Sequence, residues 1–466
     1  MKSSKLLQLD KIQGFITKAR QGNNLWKSSF YIMISQSVSV VLFLAADALF
    51  ARRFTTTDFA TWKQVILLIN LGIPLISFGL PEGFKYFAAK EPENVGTHLI
   101  RSILATSIIS IVILGFMYMG GSQLLVRVLK NPDIHYFKLG AVIIFGAVTF
   151  SKLIRYFLIN SDNTGYLFYS AILCLILGLV QLFLIYFYYN KVSANTLWIL
   201  VTCMICLIYL SSVITVFFKE GFNIFKQGKQ FSTSLFNFTP YFKIGLPLYI
   251  ATFIGIITLN LDKAIVNSLG TLNDFAIYSI GAIEIPLFSM ISASVSQSIF
   301  PKLVGYYREL NIAPAKNLWI NTTKKISYIT YPIILVFMIF AGPLIKIVFT
   351  TKYEAAIPIF KTYLLVALWR NGYYGALISA SGKTKWITFY SFISFVLNIG
   401  FSFLLYHFNG LIGIAYGALV AATVGAFMQL THEGLLLAWF KNIILNKFIF
   451  ILIVLILATY LFNLFL

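Results

Sequence analysis

Eight ionisable residues stand where an apolar chain has least reason to carry them. Lys63, Lys152, Arg155, Lys263 and Arg370, together with Asp47, Asp262 and Glu284, each interrupt a long hydrophobic run. A charge at the middle of a bilayer costs about 3 kcal/mol on insertion scales, so such groups face a wet cavity or a partner. Their types allow the binding of an anion by cations, the orientation of those cations by carboxylates, and titration. Position ranks them. Lys138 and Lys361 lie near the ends of their runs, where a long stem carries the ammonium to the interface. Lys152 and Arg155 are one helical turn apart near an inner end, where they reach headgroups or form a basic approach to a cavity. Arg370 and Glu284 sit halfway along theirs, and either pair or face a cavity. Asp262 and Lys263 are adjacent, so on a helix they point about 100° apart and cannot both face lipid cheaply. The preferred reading gives substrate binding to Lys263, Arg370, Lys63, Arg155 and Lys152. Asp47, Asp262 and Glu284 then serve as charge partners or coupling groups.

Catalytic chemistry has no comparable footing. The four histidines are scattered, and nothing resembles a zinc helix, a nucleophile elbow or a phosphate-binding loop. Cys203 and Cys206 have metal-ligand spacing, but no second pair or nearby histidine completes a site, and with Cys174 they read as small packing residues. The expectation is a non-enzyme with no metal and no cofactor. Without a Walker motif, work would be drawn from H+ or Na+ coupling, the membrane potential or the substrate's own gradient.

The elements that must hold these residues are membrane helices. Of 466 residues, 59% are hydrophobic and 11% charged, against about 25% charged in a soluble domain, and mean hydropathy is +0.84. The runs are solidly apolar rather than alternating, which excludes an outer-membrane barrel and leaves helices to satisfy the backbone. Twelve spans are expected at about 28–51, 62–87, 98–119, 136–159, 166–189, 196–218, 243–268, 275–300, 324–348, 357–380, 386–407 and 411–438. A thirteenth lies at 448–466. This divides the chain into a cytoplasmic amphipathic segment (1–27), an N-lobe of six helices (28–218), a cytoplasmic linker (219–242), a C-lobe of six helices (243–438), and a basic loop with an additional helix (439–466). The net charge of +21 reads as the positive-inside bias and attraction to anionic lipid rather than as a nucleic-acid surface. With the N-terminus inside, twenty-two of the 36 Lys and Arg fall on inner segments and seven on outer ones. Every outer loop is short, the longest being about Gly120 to His135, which leaves no extracytoplasmic domain.

The two halves repeat one another. Asp47, Arg52-Arg53 and Asp58-Phe59-Ala60-Thr61-Trp62 in the first are answered by Asp262-Lys263 and Asp274-Phe275-Ala276-Ile277-Tyr278 in the second. Ile73-Pro74-Leu75 matches Ile285-Pro286-Leu287 after a gap of four, and Phe168-Tyr169-Ser170 matches Phe389-Tyr390-Ser391. Six spans per half give a parallel repeat about an axis along the membrane normal. Asp47 and Asp262 are expected to face each other across that axis, with Lys263 unmatched at Ala48. Gly413, Gly417, Ala421 and Gly425 recur every four residues, the mark of a close helix seam.

Several of these stretches carry a resemblance. Ala51-Arg52-Arg53-Phe54, Gly79-Leu80-Pro81-Glu82-Gly83, the Ser381-Gly382-Lys383-Thr384 turn and Asn409-Gly410-Leu411-Ile412-Gly413 resemble the oligosaccharide flippases of the multidrug/oligosaccharidyl-lipid/polysaccharide exporter superfamily. The resemblance implies a V-shaped, two-lobed helical transporter of the bacterial inner membrane. It would flip undecaprenyl-diphosphate-linked oligosaccharide units from the inner to the outer leaflet by alternating access, for O-antigen, lipopolysaccharide or capsule synthesis. Membrane lipids and the pathway's polymerase and chain-length proteins would be its partners. The residues agree: seven cations against four acids (Asp47, Glu82, Asp262, Glu284) within the spans suit an anionic substrate. Two alternatives remain, a cation or drug antiporter of the same superfamily, which would rely on acids, and a membrane glycosyltransferase or polymerase, which would need a large loop.

Overall fold

Helices account for nearly every described residue, and no strand occurs among them. The computed structural model describes residues 31–462 apart from 32, 36, 92–93, 161–164, 221–237, 371 and 373. The expected amphipathic segment and most of the expected linker lie outside those residues. In chain order the helices of the first half are α1 (Met33–Arg53), α2 (Thr56–Ser77), α3 (Leu80–Lys90), α4 (Val95–Phe116), α5 (Ser122–Leu129), α6 (Lys138–Asn160), α7 (Gly165–Tyr188) and α8 (Ala194–Glu220). The second half has α9 (Thr239–Leu269), α10 (Leu272–Gly281), α11 (Pro286–Arg308), α12 (Ile312–Ile339), α13 (Ala341–Phe349), α14 (Ile357–Arg370), α15 (Ala376–Ala380), α16 (Thr384–Asn409) and α17 (Leu411–His432). Two further helices, α18 (Leu436–Trp439) and α19 (Lys447–Phe462), close it. Seven helices among the described residues are long and apolar enough to cross a membrane, or up to nine when two bent pairs count as one span each. One of those pairs joins the stretch from Leu436 to Ile444 with α19 at an angle of 85°.

The chain forms two compact units. Residues 1–47, 73–124 and 135–249 make the first, and residues 48–72, 125–134 and 250–466 the second. The second therefore holds all of the C-lobe helices beyond residue 249 and two short pieces from the first half. In the first unit, Phe84 and Ala88 of α3 pack with Leu99 of α4, Leu153 and Phe157 of α6, Leu167 of α7 and Val216 of α8. The turn into α3 has Gly79 at φ +75° ahead of a proline in the first helical turn. Only glycine adopts that backbone without strain, and proline suits a helix start. In the second unit α16 and α17 pack as closely as helices can. A Cβ on Gly413 would lie 2.0 Å from the Leu405 carbonyl oxygen, and one on Gly417 2.5 Å from the Ser402 nitrogen. The four-residue spacing read from the sequence is this seam. α19 buries Ile449, Leu452, Ile456 and Tyr460, and the Tyr460 hydroxyl lies 2.9 Å from Thr362 Oγ1.

The repeat is visible as a local hydrogen-bond device. Thr271 caps α10 by accepting from the Asp274 amide at 3.1 Å while the Asp274 carboxylate accepts from the Thr271 amide at 2.9 Å. Thr55 caps α2 in the same way, accepting from the Asp58 amide at 3.1 Å, and its hydroxyl donates to Asp58 at 2.7 Å. The next two residues, Phe59-Ala60 and Phe275-Ala276, are fully buried in both copies. The Asp-Phe-Ala signature is thus a helix start followed by a packing knob. α1 and α9 each end two residues before the capping threonine, which aligns the copies without a gap and corrects one correspondence. Asp47 falls opposite Lys263, and Asp262 opposite Ala46. One residue is about 100° of helix, so the two aspartates occupy different faces of their helices, and the charge is reversed at one equivalent position.

Candidate functional site

Two helix breaks in the second unit bring opposite charges together. The segment from the capping aspartate to the proline is four residues shorter in the second copy. There α10 stops at Gly281, and the chain runs through Ala282–Ile285 before Pro286 begins α11. Glu284 stands in that interruption. α14 stops at Arg370, ahead of α15 at Ala376. Positive charge is stabilised at a helix C-terminus, and irregular backbone at membrane depth is tolerated where it lines a cavity. The Arg370 guanidinium donates to the Glu284 carboxylate in an ion pair whose side chains remain 31% and 47% exposed. Pairing and facing a cavity were alternatives in the sequence; in the structure they coexist. Both residues line a cavity of about 80 Å³ with Phe288, Phe360 and Tyr363.

A chain of hydroxyls leads from this cavity into the helix bundle. Tyr363 lines the cavity, its hydroxyl lies 3.3 Å from that of Tyr278, and Tyr278 donates to Asp262 Oδ2 at 3.2 Å. Asp262 is 2% exposed, and its Oδ1 has no hydrogen-bond partner among the described residues. Sequence reading missed both tyrosines. Tyr278 was in view as the last residue of the repeat signature, but its counterpart Trp62 carries no hydroxyl. Tyr363 gave no signal beyond a phenol in an apolar run.

The remaining candidates are dispersed. Lys263 is half-buried on α9 beside Asp262. Lys63 of α2 lies over the Phe59 ring at 5.6 Å. Lys152 and Arg155 belong to α6 in the first unit, where Arg155 has Tyr156, Tyr209 and Cys174 as electrostatic neighbours and makes no ion pair with a described residue. Asp47 is buried at the end of the first unit's opening segment. Lys361, expected to reach the interface, is instead 8% exposed within the second unit. It sits one turn into α14, among buried residues on both sides. His432 and Glu433 are bound to neighbouring helices: Tyr390 meets His432 Nδ1 at 2.8 Å, and Tyr307 donates to Glu433 at 3.0 Å. No metal-binding cluster occurs among the described residues.

Residues 49–358 match the family model described as "Polysaccharide biosynthesis protein". The chain belongs to that family. No curated protein sequence matches it. Among solved structures it is similar to an inward-facing multidrug resistance MATE family transporter of the MOP superfamily, with a TM-score of 0.65 and 16% identity, over 88% of this chain and 99% of that one. It is also similar to the lipid II flippase MurJ in an inward closed conformation, with a TM-score of 0.64 and 16% identity, over 92% and 97%. An outward-facing MATE family structure matches with a TM-score of 0.59 and 15% identity, over 88% and 96%. The fold is that of the MOP superfamily, with its two helical lobes. The family member described here is a multi-pass membrane protein of polysaccharide biosynthesis.

Proposed function

We propose that this protein flips undecaprenyl-diphosphate-linked oligosaccharide units from the inner to the outer leaflet of the bacterial inner membrane, by alternating access and with its N-terminus in the cytoplasm. The product feeds O-antigen, lipopolysaccharide or capsule assembly. The observation that carries the reading is Arg370, a guanidinium held at a helix break on a cavity wall, paired with a carboxylate that remains half-exposed. A diphosphate offers the guanidinium two parallel acceptors where Glu284 gives one contact, so substrate can displace Glu284, whose half-exposed carboxylate is then left to water. Arg155 supports the reading from the first unit, as a membrane-embedded cation with no ion pair to a described residue. Lys263, Lys63 and Lys152 are assigned secondary substrate contacts. The MurJ structure, whose name gives lipid II as its cargo, sets a precedent for lipid-linked sugar on this fold.

Coupling to H+ or Na+ is assigned to Asp262, whose unbonded Oδ1 is buried and whose Oδ2 is reached from the cavity through Tyr363 and Tyr278. The decisive experiment is transfer of a fluorescent undecaprenyl-diphosphate oligosaccharide across proteoliposomes. Arg370→Ala should slow flipping at least tenfold, with partial recovery in Arg370→Lys. Wild-type rates in Arg370→Ala, with no response to an imposed ion gradient in the parent, would overturn the assignment.

A further inference from the structure

The last segment of the chain carries none of the contacts assigned above, and it bends sharply. The stretch from Leu436 to Ile444 meets α19 at 85°. The apolar run from Phe448 to Leu466 is long enough to cross a bilayer. A helix at right angles to it therefore lies along the membrane surface. Two helices mark the level of that surface. α12 changes from Asn321-Thr322-Thr323-Lys324-Lys325 to an apolar run near Tyr328, and α19 changes from Asn446-Lys447 to Phe448-Ile449-Phe450. The two changes lie side by side. Tyr328 donates to Asn446 Oδ1 at 3.3 Å, and its ring centroid is 5.7 Å from that of Phe448.

The elbow between residues 436 and 447 has two faces. Trp439 and Ile443 are buried. The Trp439 ring stacks at 5.7 Å on Trp369, which also meets Phe427 at 5.3 Å. On the other face Leu437, Phe440 and Leu445 are 84%, 48% and 56% exposed, and Lys441 and Lys447 are exposed beside them. On a helix in the membrane plane, such apolar groups enter the acyl boundary while the ammoniums stay among the headgroups. Lys324, 5.9 Å over the Tyr328 ring, and the exposed Lys325 add two cations at the same level. None of the four lysines makes an ion pair with a described residue. Neither α12 nor the chain after Glu433 contains an Asp or Glu. Four cations without an acid, above an apolar face, are complementary to an anionic lipid headgroup and its chains.

We propose that the corner formed by α12 and the elbow is a seat for anionic phospholipid in the leaflet assigned as inner. A lipid held there steadies the Arg370 end of α14, because Trp439 stacks on the residue that precedes Arg370. The seat does not depend on the cargo, so it stands or falls apart from the function proposed above. Its test uses the full chain in nanodiscs of mixed phosphatidylglycerol and phosphatidylcholine, with retained lipid read by native mass spectrometry. The parent should retain phosphatidylglycerol in preference to phosphatidylcholine. Replacing Lys324, Lys325, Lys441 and Lys447 by glutamine should reduce that preference at least about tenfold, since one lysine at a charged leaflet contributes about fivefold. Replacing the same four by arginine keeps the charge and should keep the preference. Hydrogen exchange over residues 366–370 should be severalfold slower with phosphatidylglycerol present than in phosphatidylcholine alone. That difference should vanish in the glutamine variant and in Trp439→Ala. No preference in the parent, or full preference in the glutamine variant, would overturn the seat. Exchange that ignores the lipid in the parent, or responds unchanged in Trp439→Ala, would overturn the link to Arg370.

Discussion

Arg370 and Glu284 hold each other, and what each does alone separates a structural pair from a binding site. If the pair only stabilises the fold, exchanging the charges in a Glu284→Arg, Arg370→Glu double variant keeps transport. If Arg370 binds a diphosphate, the double variant folds normally and transports at least tenfold more slowly, while Glu284→Gln retains transport; flux in proteoliposomes decides. Asp262→Asn should abolish the response of flux to an ion gradient while leaving gradient-free exchange, since the amide keeps the bond from Tyr278 but cannot change charge. Outside the membrane, burial and then the nearby Asp58 carboxylate raise the pKa of Asp133 above the usual value. A raised carboxylate pKa in the folded state favours folding as the pH falls and penalises it as the pH rises through that value. Asp133→Asn should therefore melt higher than the parent at pH 7, and the difference should vanish on acidification below the ordinary carboxylate range. The charged residues themselves were legible from composition, because a lysine or aspartate in an apolar run is conspicuous. Tyr278 and Tyr363 were not, since a phenol in such a run has the same signature whether it pairs across the molecule or faces lipid.

Among the elements, the close-packing spacing of α17 was readable, because it depends on residues close in sequence, while the threonine caps showed there only as a repeated signature. Gly417→Val should destabilise the protein by at least about 2 kcal/mol, since the added side chain meets the Ser402 backbone as well as its hydroxyl, and the backbone cannot swing aside; thermal unfolding in detergent measures it. Thr271→Ala removes one capping acceptor, for which about 1 kcal/mol is the ordinary cost, and it should loosen the turn between α9 and α10 as read by hydrogen exchange. The interruptions at 282–285 and after Arg370 were not legible. Ile285-Pro286 reads equally well as a kinked continuous span, and the segment is four residues shorter than in the first copy.

For the molecule as a whole, fold class followed from hydrophobicity, charge bias and repetition, which are properties summed over hundreds of residues and insensitive to local error, while the family came from the resemblance of a few short stretches. The partition into units was not legible, since the pieces 48–72 and 125–134 join the second unit through side chains distant in sequence. The threonine caps at Thr55–Asp58 and Thr271–Asp274 also bear on how the chain is made. Each closes within four residues and needs no other segment, so it can form at the membrane surface as soon as that stretch emerges from synthesis. It fixes where the following helix begins before any lobe has packed. The register of α2 and of α10 is then set twice, by the same local reaction, and later assembly joins hairpins whose ends are already defined.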